Sequence, residues 1–408
     1  MKKQDTAVVV FGIEPRRIGS AEALAREIAV QLTTCGWKCV LCFPSHPPEP
    51  VRDFLQVPGV TIELVDDCYS LAWQPTKMLA RILREHRPRV LHLNFTGMLS
   101  PYPWLAKLFG VEKVLYTDHG SRAAGYVPTP ATAFKRVLSR LVNHPMSAMI
   151  SVSGFGYCCL TALDIFNKDR IEMIYNAVDV ERAALAYRSA GRFRDRYSIS
   201  SDSLLVVQVS WMIPEKGIED FLEAARRVAD VEPKAHFLLA GDGLYLDQFQ
   251  DKARALSLCD RVTFTGLVED PLAEGLFAAA DVVCQVSRWE EVFGWVIAEA
   301  MVSGKPLVAT RVGGIPELVD HRATGFLVDR GDVPAISNRI LELLRDRVLR
   351  KRMGEAGLRA AHLKFDLKTN VSQLLKLYGI AKIATRHDAP RASVIEATPL
   401  AARARLQQ

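Results

Sequence analysis

The strand-like run Val282–Gln285 leads, through Ser287-Arg288-Trp289-Glu290-Glu291-Val292-Phe293-Gly294-Trp295-Val296-Ile297-Ala298-Glu299-Ala300-Met301, into a helical pattern. A strand that enters a helix through a charged, aromatic, glycine-bearing loop is a βα junction. Free backbone N–H groups and the positive end of the helix dipole then stand at the carboxyl edge of a sheet. Phosphates bind there without needing a basic side chain. Glu291 falls in the loop, where it can face a ligand directly. Glu299 falls about two turns into the helix, where a carboxylate flanked by Ala298 and Ala300 is expected to be buried and hydrogen-bonded. Carboxylates accept well from the vicinal hydroxyls of sugars and riboses. The plain alternative is a solvated Glu-Glu loop and an ordinary helix glutamate.

The same rhythm extends in both directions. Upstream strand candidates are Ala7–Phe11, Lys38–Phe43, Thr61–Val65, Val90–Leu93, Lys113–Tyr116 and Ala148–Ser151, with helical patterns at Ser20–Thr34, Thr76–Glu85, Tyr102–Phe109 and Thr132–Val142. The second half restarts with Leu204–Val209, then Phe237–Leu239, Val262–Phe264, Val282–Gln285, Leu307–Ala309 and Phe326–Val328, with helices such as Ile218–Val228, Tyr245–Leu256 and Pro334–Leu344 between them. Alternation of this kind predicts βαβ units and parallel sheets covered on both faces, in two successive α/β domains. The expected division is residues 1–181, an Arg/Ser/Asp-rich connection over 182–203, and a second domain over 204–365. A C-terminal helix over 366–385 is expected to return to the first domain, followed by a disordered tail over 386–408.

The 408 residues are 49% hydrophobic, 24% charged and 8% aromatic, which excludes collagen-like, low-complexity and wholly disordered chains. No stretch approaches the ~20 apolar residues of a membrane span. Ala7–Phe11 is too short for a signal peptide and no small-residue cleavage site follows it, so a cytoplasmic location is expected. Cys35, Cys39 and Cys42 have no second Cys/His cluster to complete a metal site, and Cys158-Cys159 reads as two reduced thiols. Residues 1–190 hold 22 Lys/Arg against 17 Asp/Glu, whereas residues 191–380 hold 25 against 27. A basic front half suits anionic lipid or phosphate-bearing substrates. No DNA- or RNA-binding motif accompanies it, so nucleic acid is not expected as a partner.

Three further loops follow strands. Ser210-Trp211-Met212-Ile213-Pro214-Glu215-Lys216-Gly217 places a lysine at a helix entrance, where it suits a phosphate. Val312-Gly313-Gly314-Ile315-Pro316-Glu317 offers two glycines for close backbone approach. Gly241-Asp242-Gly243 is a weaker signal of the same kind, and no Gly-x-Gly-x-x-Gly follows the first strand, which argues against a dinucleotide dehydrogenase.

In order, spacing and strand–helix context, Lys216-Gly217, Gly241-Asp242-Gly243, Gly266, Glu291-x7-Glu299, Gly304-Lys305-Pro306 and Gly313-Gly314-Ile315-Pro316-Glu317 resemble the retaining glycosyltransferases of family 4, the group 1 transferases. Ile18-Gly19-Ser20-Ala21-Glu22, Thr117-Asp118-His119-Gly120 and Tyr175-Asn176-Ala177-Val178-Asp179 extend the likeness, more loosely, into the first half. The resemblance implies an α/β fold of two Rossmann-like domains facing across a cleft (GT-B). It also implies a nucleotide-diphosphate sugar as donor, no metal or other cofactor, and a glycan, lipid-linked or small-molecule acceptor. In such enzymes Glu299 would hold the ribose and Glu291 the donor sugar's hydroxyls. The backbone N–H groups of Phe293, Gly294, Trp295 and Val296 would cap sugar and diphosphate. Lys216 would neutralise the leaving diphosphate, Gly19 would let backbone approach it, and His119 would face the anomeric carbon from the other domain. His92, also at a strand's carboxyl end, is the rival histidine.

Two departures stand out. Ser210-Trp211 replaces the family's Gly-Arg, so the arginine that shares the diphosphate with Lys216 is absent. Arg288, Arg122 or another cation would have to substitute; otherwise turnover falls, and a nucleotide-sugar-binding protein without strong catalysis, acting in a complex, is the alternative. Trp211 itself is expected to be a packing residue. Val292 stands where Pro or Gly is common. Finally, Thr132–Val142 places Phe134, Val137, Leu138 and Leu141 at helical spacing beside Lys135, Arg136 and Arg140. Core packing of that stripe is the expectation, because such a domain needs covering helices. A lipid-linked acceptor would instead bring the front domain to the membrane's cytoplasmic face through weak, salt-sensitive contact.

Overall fold

The computed structural model describes residues 4–66 and 73–380. The expected tail over 386–408 and residues 381–385 of the expected C-terminal helix lie outside the described residues, as does Cys68; within them that helix ends earlier than expected, at Tyr378, where Gly379 caps it at φ +93°. Two all-parallel sheets account for the strands. The first contains β1 (Thr6–Phe11), β2 (Lys38–Phe43), β3 (Val60–Leu64), β4 (Val90–Asn94), β5 (Lys113–Asp118), β6 (Ala148–Ser151) and β7 (Ile171–Met173), in the order β3-β2-β1-β4-β5-β6-β7. The second contains β8 (Leu204–Val209), β9 (Ala235–Ala240), β10 (Val262–Gly266), β11 (Val282–Gln285), β12 (Leu307–Thr310) and β13 (Gly325–Val328), in the order β10-β9-β8-β11-β12-β13. Central strands are buried along their whole length, as β1 and β4 are, because helices cover both faces. Each sheet reverses its strand order once, at β1/β4 and at β8/β11. These are the positions where an open parallel sheet leaves a crevice at its carboxyl edge.

Several elements lie outside the expected pattern. β7 is a three-residue edge strand, Ile-Glu-Met, with two exposed residues and hence no apolar run to find. The helix Gly154–Leu163 opens on glycines, which disfavour helix. Its first turn is held by Ser153 Oγ, which accepts from Gly156 N at 3.0 Å, and by the Glu317 carboxylate, which accepts from Gly154 N and Phe155 N at 2.7 Å each. The connection over 182–203 is largely helical, with helices Val180–Ala186 and Ala190–Arg196, and Arg194 ties it to the Ala279 carbonyl and Asp281. The helix Leu367–Tyr378 packs on the helix Ser20–Thr34; its Leu367, Val371, Leu374 and Tyr378 are buried in the first lobe's core.

The helix Ala133–Val142 overturns the core-packing expectation. Phe134 is 79% and Leu141 60% exposed, with Val137 and Leu138 also outward, and the helix turns Ser139 inward instead. A helical period fixes which residues share a face but not which way that face points. Here Arg136 and Arg140 both reach back to Asp164, at 3.1 and 2.7 Å, and orient the helix with its apolar side out.

The lobes meet through backbone. Ile18 N donates to the Glu269 carbonyl at 2.8 Å, Arg122 and Glu290 exchange main-chain bonds of 2.9 and 3.0 Å, and Val178 N donates to the Phe365 carbonyl at 2.9 Å. Glu317→Ala leaves the Gly154 and Phe155 N–H groups and the Tyr175 hydroxyl without their acceptor. We expect a loss of about 1–3 kcal/mol, read by urea or thermal unfolding, with hydrogen exchange rising first in Gly154–Leu163. An unchanged exchange pattern would show that the cross-lobe cap is dispensable.

Candidate active site

The loops after β8 and β11 lie side by side at the second sheet's switch point. Gly217, at φ +68°, permits this: a Cβ there would stand 1.9 Å from the Val286 carbonyl oxygen. Lys216 Nζ therefore reaches Glu291 Oε1 at 2.6 Å, with both side chains largely buried. Ser287 Oγ donates to the same oxygen at 2.7 Å, and Ser121 Oγ, from the front lobe, donates to Oε2 at 3.1 Å. The Lys216 ammonium also lies 5.5 Å from the centre of the Trp289 ring. Burial pushes the Glu291 carboxyl up, but the Lys216 charge and the bonds from Lys216, Ser287 and Ser121 outweigh it and hold the group below its ordinary value. It is an anion at neutral pH.

The glycine loops serve this pair. A Cβ on Gly313 would stand 2.1 Å from the Glu291 carbonyl oxygen, and Gly314 N donates to that oxygen at 2.7 Å. A Cβ on Gly241 would stand 1.9 Å from the Ser210 carbonyl oxygen. These glycines support the loops that carry Lys216 and Glu291.

The helix Trp295–Val302 starts after Gly294, at φ +94°, and leaves its first N–H groups, including those of Trp295 and Val296, without intrahelical acceptors. The Phe293 side chain points the other way, into the core against Phe365 at 5.4 Å, so only its backbone is available to a ligand. Val292 is likewise buried, against Gly156 of the front lobe. Glu299 lies just over one turn into this helix, not two as expected, because the helix starts only at Trp295; it is buried and accepts from Ser20 Oγ at 2.5 Å. Burial raises its carboxyl above the ordinary value, against the opposing pull of Arg17 and Ser20. Gly19 caps the Ser20–Thr34 helix and donates its N–H to Glu22 at 3.0 Å.

His119 faces this group from the end of β5. It stacks on Phe95, with ring centres 4.1 Å apart and planes 8° apart, and lies 5.6 Å from Trp295. Asn176 Nδ2 donates to its Nδ1 at 3.3 Å, so Nε2 carries the proton and donates to Asn94 Oδ1 at 3.2 Å. Burial pushes its pKa down to about 3, with nearby His92 adding to the shift. It is a neutral imidazole. His92 is a core residue, with both nitrogens taken by Tyr378 and Thr117 at 2.8 and 2.7 Å. Beside His119 opens a cavity of about 600 Å3 lined by residues including Met98, Leu99, Arg122, Tyr126 and Lys135.

Trp211 is 59% exposed and is not a packing residue. Arg288 is held by Asp220 through two bonds of 2.8 and 2.6 Å, and Arg122 by Asp118 at 2.5 Å. Neither named substitute for the missing arginine is free. Ser121, Ser287 and Asn94 join the site without having been singled out in the sequence, because a lone serine or asparagine beyond a strand carries no periodic signal.

Glu22 supplies a pH test of the cleft. Burial pushes its carboxyl from an ordinary 4.5 up to about 7, against backbone hydrogen bonds and the Arg17 charge. A carboxyl that keeps its proton longer when folded stabilises the native state fully below its unfolded pKa, and that contribution is lost as pH rises through the folded value. Glu22→Gln is neutral and can still accept from Gly19. It is expected to stabilise the fold by about 2–4 kcal/mol at pH 8 and hardly at pH 4. Equal effects at both pH values would refute the raised pKa.

Comparison with known proteins agrees with this geometry. The model of the Glycosyltransferase Family 4 matches residues 21–182, and that of Glycosyl transferases group 1 matches residues 190–360. The chain is 34% identical over 305 residues to the N-acetyl-alpha-D-glucosaminyl L-malate synthase of Bacillus anthracis, covering 74% of this chain and 77% of that one. It is 27% identical over 295 residues to a GDP-mannose-dependent alpha-(1-6)-phosphatidylinositol monomannoside mannosyltransferase of Mycobacterium tuberculosis, covering 68% and 72%. Among solved structures, a glycosyltransferase of Rickettsia africae superposes with a TM-score of 0.75 at 19% identity, over 92% of this chain and 98% of that one. The HepE protein of Anabaena, solved with UDP and glucose, gives 0.72 at 20% identity, over 92% and 100%. With two Rossmann-like lobes facing one another and the loops after β8 and β11 paired at the second sheet's edge, the chain belongs to the group 1 glycosyltransferases and is an enzyme of sugar transfer.

Proposed function

We propose that the enzyme moves a sugar from a nucleotide-diphosphate donor to an acceptor bound on the front lobe, with retention at the anomeric carbon. The observation that carries this reading is the buried Lys216–Glu291 pair beside the N-terminus of Trp295–Val302. It sets a cation, an acceptor for sugar hydroxyls and a row of N–H donors within one crevice. In this reading Glu299 holds the ribose and Glu291 the donor sugar. Phe293, Gly294, Trp295 and Val296 offer backbone N–H groups to the diphosphate, and Gly19 approaches it from the front lobe. His119, being neutral, acts as a hydrogen-bonding and stacking group towards the sugar rather than as a charge. Lys216 stabilises the diphosphate as the anomeric C–O bond breaks.

The donor side is tested by separating affinity from turnover. Glu299→Ala is expected to weaken nucleotide binding, whereas Glu291→Ala mainly lowers turnover of the intact donor. Lys216→Ala is expected to cut the transfer rate by about 10²–10³, the effect of removing one preorganised stabiliser. Equal affinity of the two glutamate variants for nucleotide diphosphate would overturn the assignment.

On the acceptor side we propose a lipid-linked substrate met at a membrane surface. The mycobacterial relative is named for a phosphatidylinositol-based acceptor. Here the outward Phe134, Val137, Leu138 and Leu141, with Trp104 and Leu108 nearby and also exposed, form an apolar surface beside the His119 cavity. No helix among the described residues is long and apolar enough to cross a membrane. Because Asp164 already neutralises Arg136 and Arg140 in part, the attachment should depend on apolar contact more than the sequence alone predicts. Phe134→Ser with Leu141→Ser is expected to abolish sedimentation with anionic liposomes, and 0.5 M salt to weaken it only in part (the Debye length is then about 4 Å). No sedimentation of the wild type at low salt would leave an acceptor free in solution.

A further inference from the structure

We propose that Arg17 supplies the second positive charge on the donor's diphosphate from across the cleft, in place of the arginine missing beside Lys216. The inference rests on the diphosphate donor proposed above. Trp211, at the vacated position, is exposed and carries no charge. The other arginines around the cleft are committed: Arg288 to Asp220, Arg122 to Asp118, Arg330 to Glu290, and Arg16 to Asp242 at 2.5 Å. Arg17 is partly buried and makes no ion pair with the described residues.

Its place is fixed from both sides. Arg16 is bound to Asp242 of the second lobe, and Ile18 N to the Glu269 carbonyl of the same lobe at 2.8 Å. The residue between these anchors is held at the cleft wall. Its Nε lies 3.6 Å from where a Cβ on Gly19 would stand, and Ser20, three residues on, touches Glu299 at 2.5 Å. The Arg17 charge is felt by Glu22 and Glu299, which it draws towards ionisation. A diphosphate lying between the ribose at Glu299 and the sugar at Glu291 would thus have Lys216 on one side and Arg17 on the other.

The chemistry requires such charge. As the anomeric C–O bond breaks, its electron pair remains on the diphosphate's terminal oxygen. The acceptor's hydroxyl oxygen bonds the anomeric carbon, and its proton passes to the departing diphosphate. Two cations offset the growing negative charge better than one. Because Arg17 belongs to the front lobe, the second arrives only when the lobes are closed. An open enzyme with donor bound would then be slow to lose its sugar to water.

The test measures calorimetric affinity for UDP and GDP against UMP and GMP, in wild type, Arg17→Ala, Arg17→Lys and the double variant Arg17→Ala with Trp211→Arg. Arg17→Ala should reduce the affinity for whichever diphosphate the wild type prefers by about tenfold or more, leave the matching monophosphate nearly unchanged, and lower kcat. Arg17→Lys should recover part of the loss, and Trp211→Arg should restore the diphosphate preference. An unaltered ratio of diphosphate to monophosphate affinity would overturn the proposal. So would equal weakening of both nucleotides with a lowered Tm, which marks a structural role. If the wild type binds no nucleoside diphosphate, ADP, CDP and dTDP included, the donor assignment itself falls and takes this role with it.

Discussion

Burying a lysine beside a glutamate is costly, several kcal/mol per ion, unless geometry and further hydrogen bonds replace the lost water. At Lys216 and Glu291 both conditions are met. The ions approach to 2.6 Å, Ser287 donates to one carboxylate oxygen, and Ser121 donates to the other from the opposite lobe. Much of the second lobe can be read as what this contact requires. The strand order must bring β8 beside β11, or the two loops would lie apart. Gly217 must lack a side chain against the Val286 carbonyl, and Gly313 against that of Glu291. The pair is held entirely by groups of the protein, and fixed charges of this kind are what electrostatic stabilisation without reorganisation requires.

The lobes are joined in the same chemical terms. Glu290, Glu299 and Glu317 all belong to the second lobe, and each accepts from the first: Glu290 from Gly125 N at 2.9 Å, Glu299 from Ser20 Oγ, and Glu317 from two N–H groups and the Tyr175 hydroxyl. Short polar contacts of this kind can be exchanged for water when the cleft opens. The apolar contacts among Tyr175, Phe293 and Phe365 run deeper and join the lobes behind the site. One of the polar contacts bears on binding. Ser20 occupies Glu299 as a hydroxyl donor, so a ribose held by that carboxylate would have to displace the serine or share the acceptor with it.

What the sequence made legible follows from where the physics was local. Strands buried on both faces are short continuous apolar runs, so all but β7 were visible. The positions of Lys216, Glu291 and His119 just beyond strand ends were visible for the same reason. The helix Gly154–Leu163 was not, because its glycine-rich start depends on Glu317, which is distant in the chain, and on room for Val292 against Gly156. Nor could spacing tell that Phe293 gives its ring to the core and only its backbone to the cleft. For the helix the deciding contacts come from the other lobe, and for Phe293 from Phe365, far along the chain.

The front lobe's excess of positive charge shows how far composition and surface can part. Arg89 is spent on Asp5 and Glu112, Arg81 on Glu63, Arg122 on Asp118, and Arg136 and Arg140 on the single Asp164. Surface pairs of this sort add little stability, but they remove cations from the field a partner would meet. Lys135 makes no ion pair with the described residues, and it lines the cavity beside His119. It is the neighbour of Phe134 and lies on the same helix as Val137, Leu138 and Leu141, whose side chains face outward. One helix therefore presents apolar surface outward and an ammonium without an ion-pair partner among the described residues to the cavity beside His119. Those are the two features an amphipathic substrate needs in order to be held at both ends.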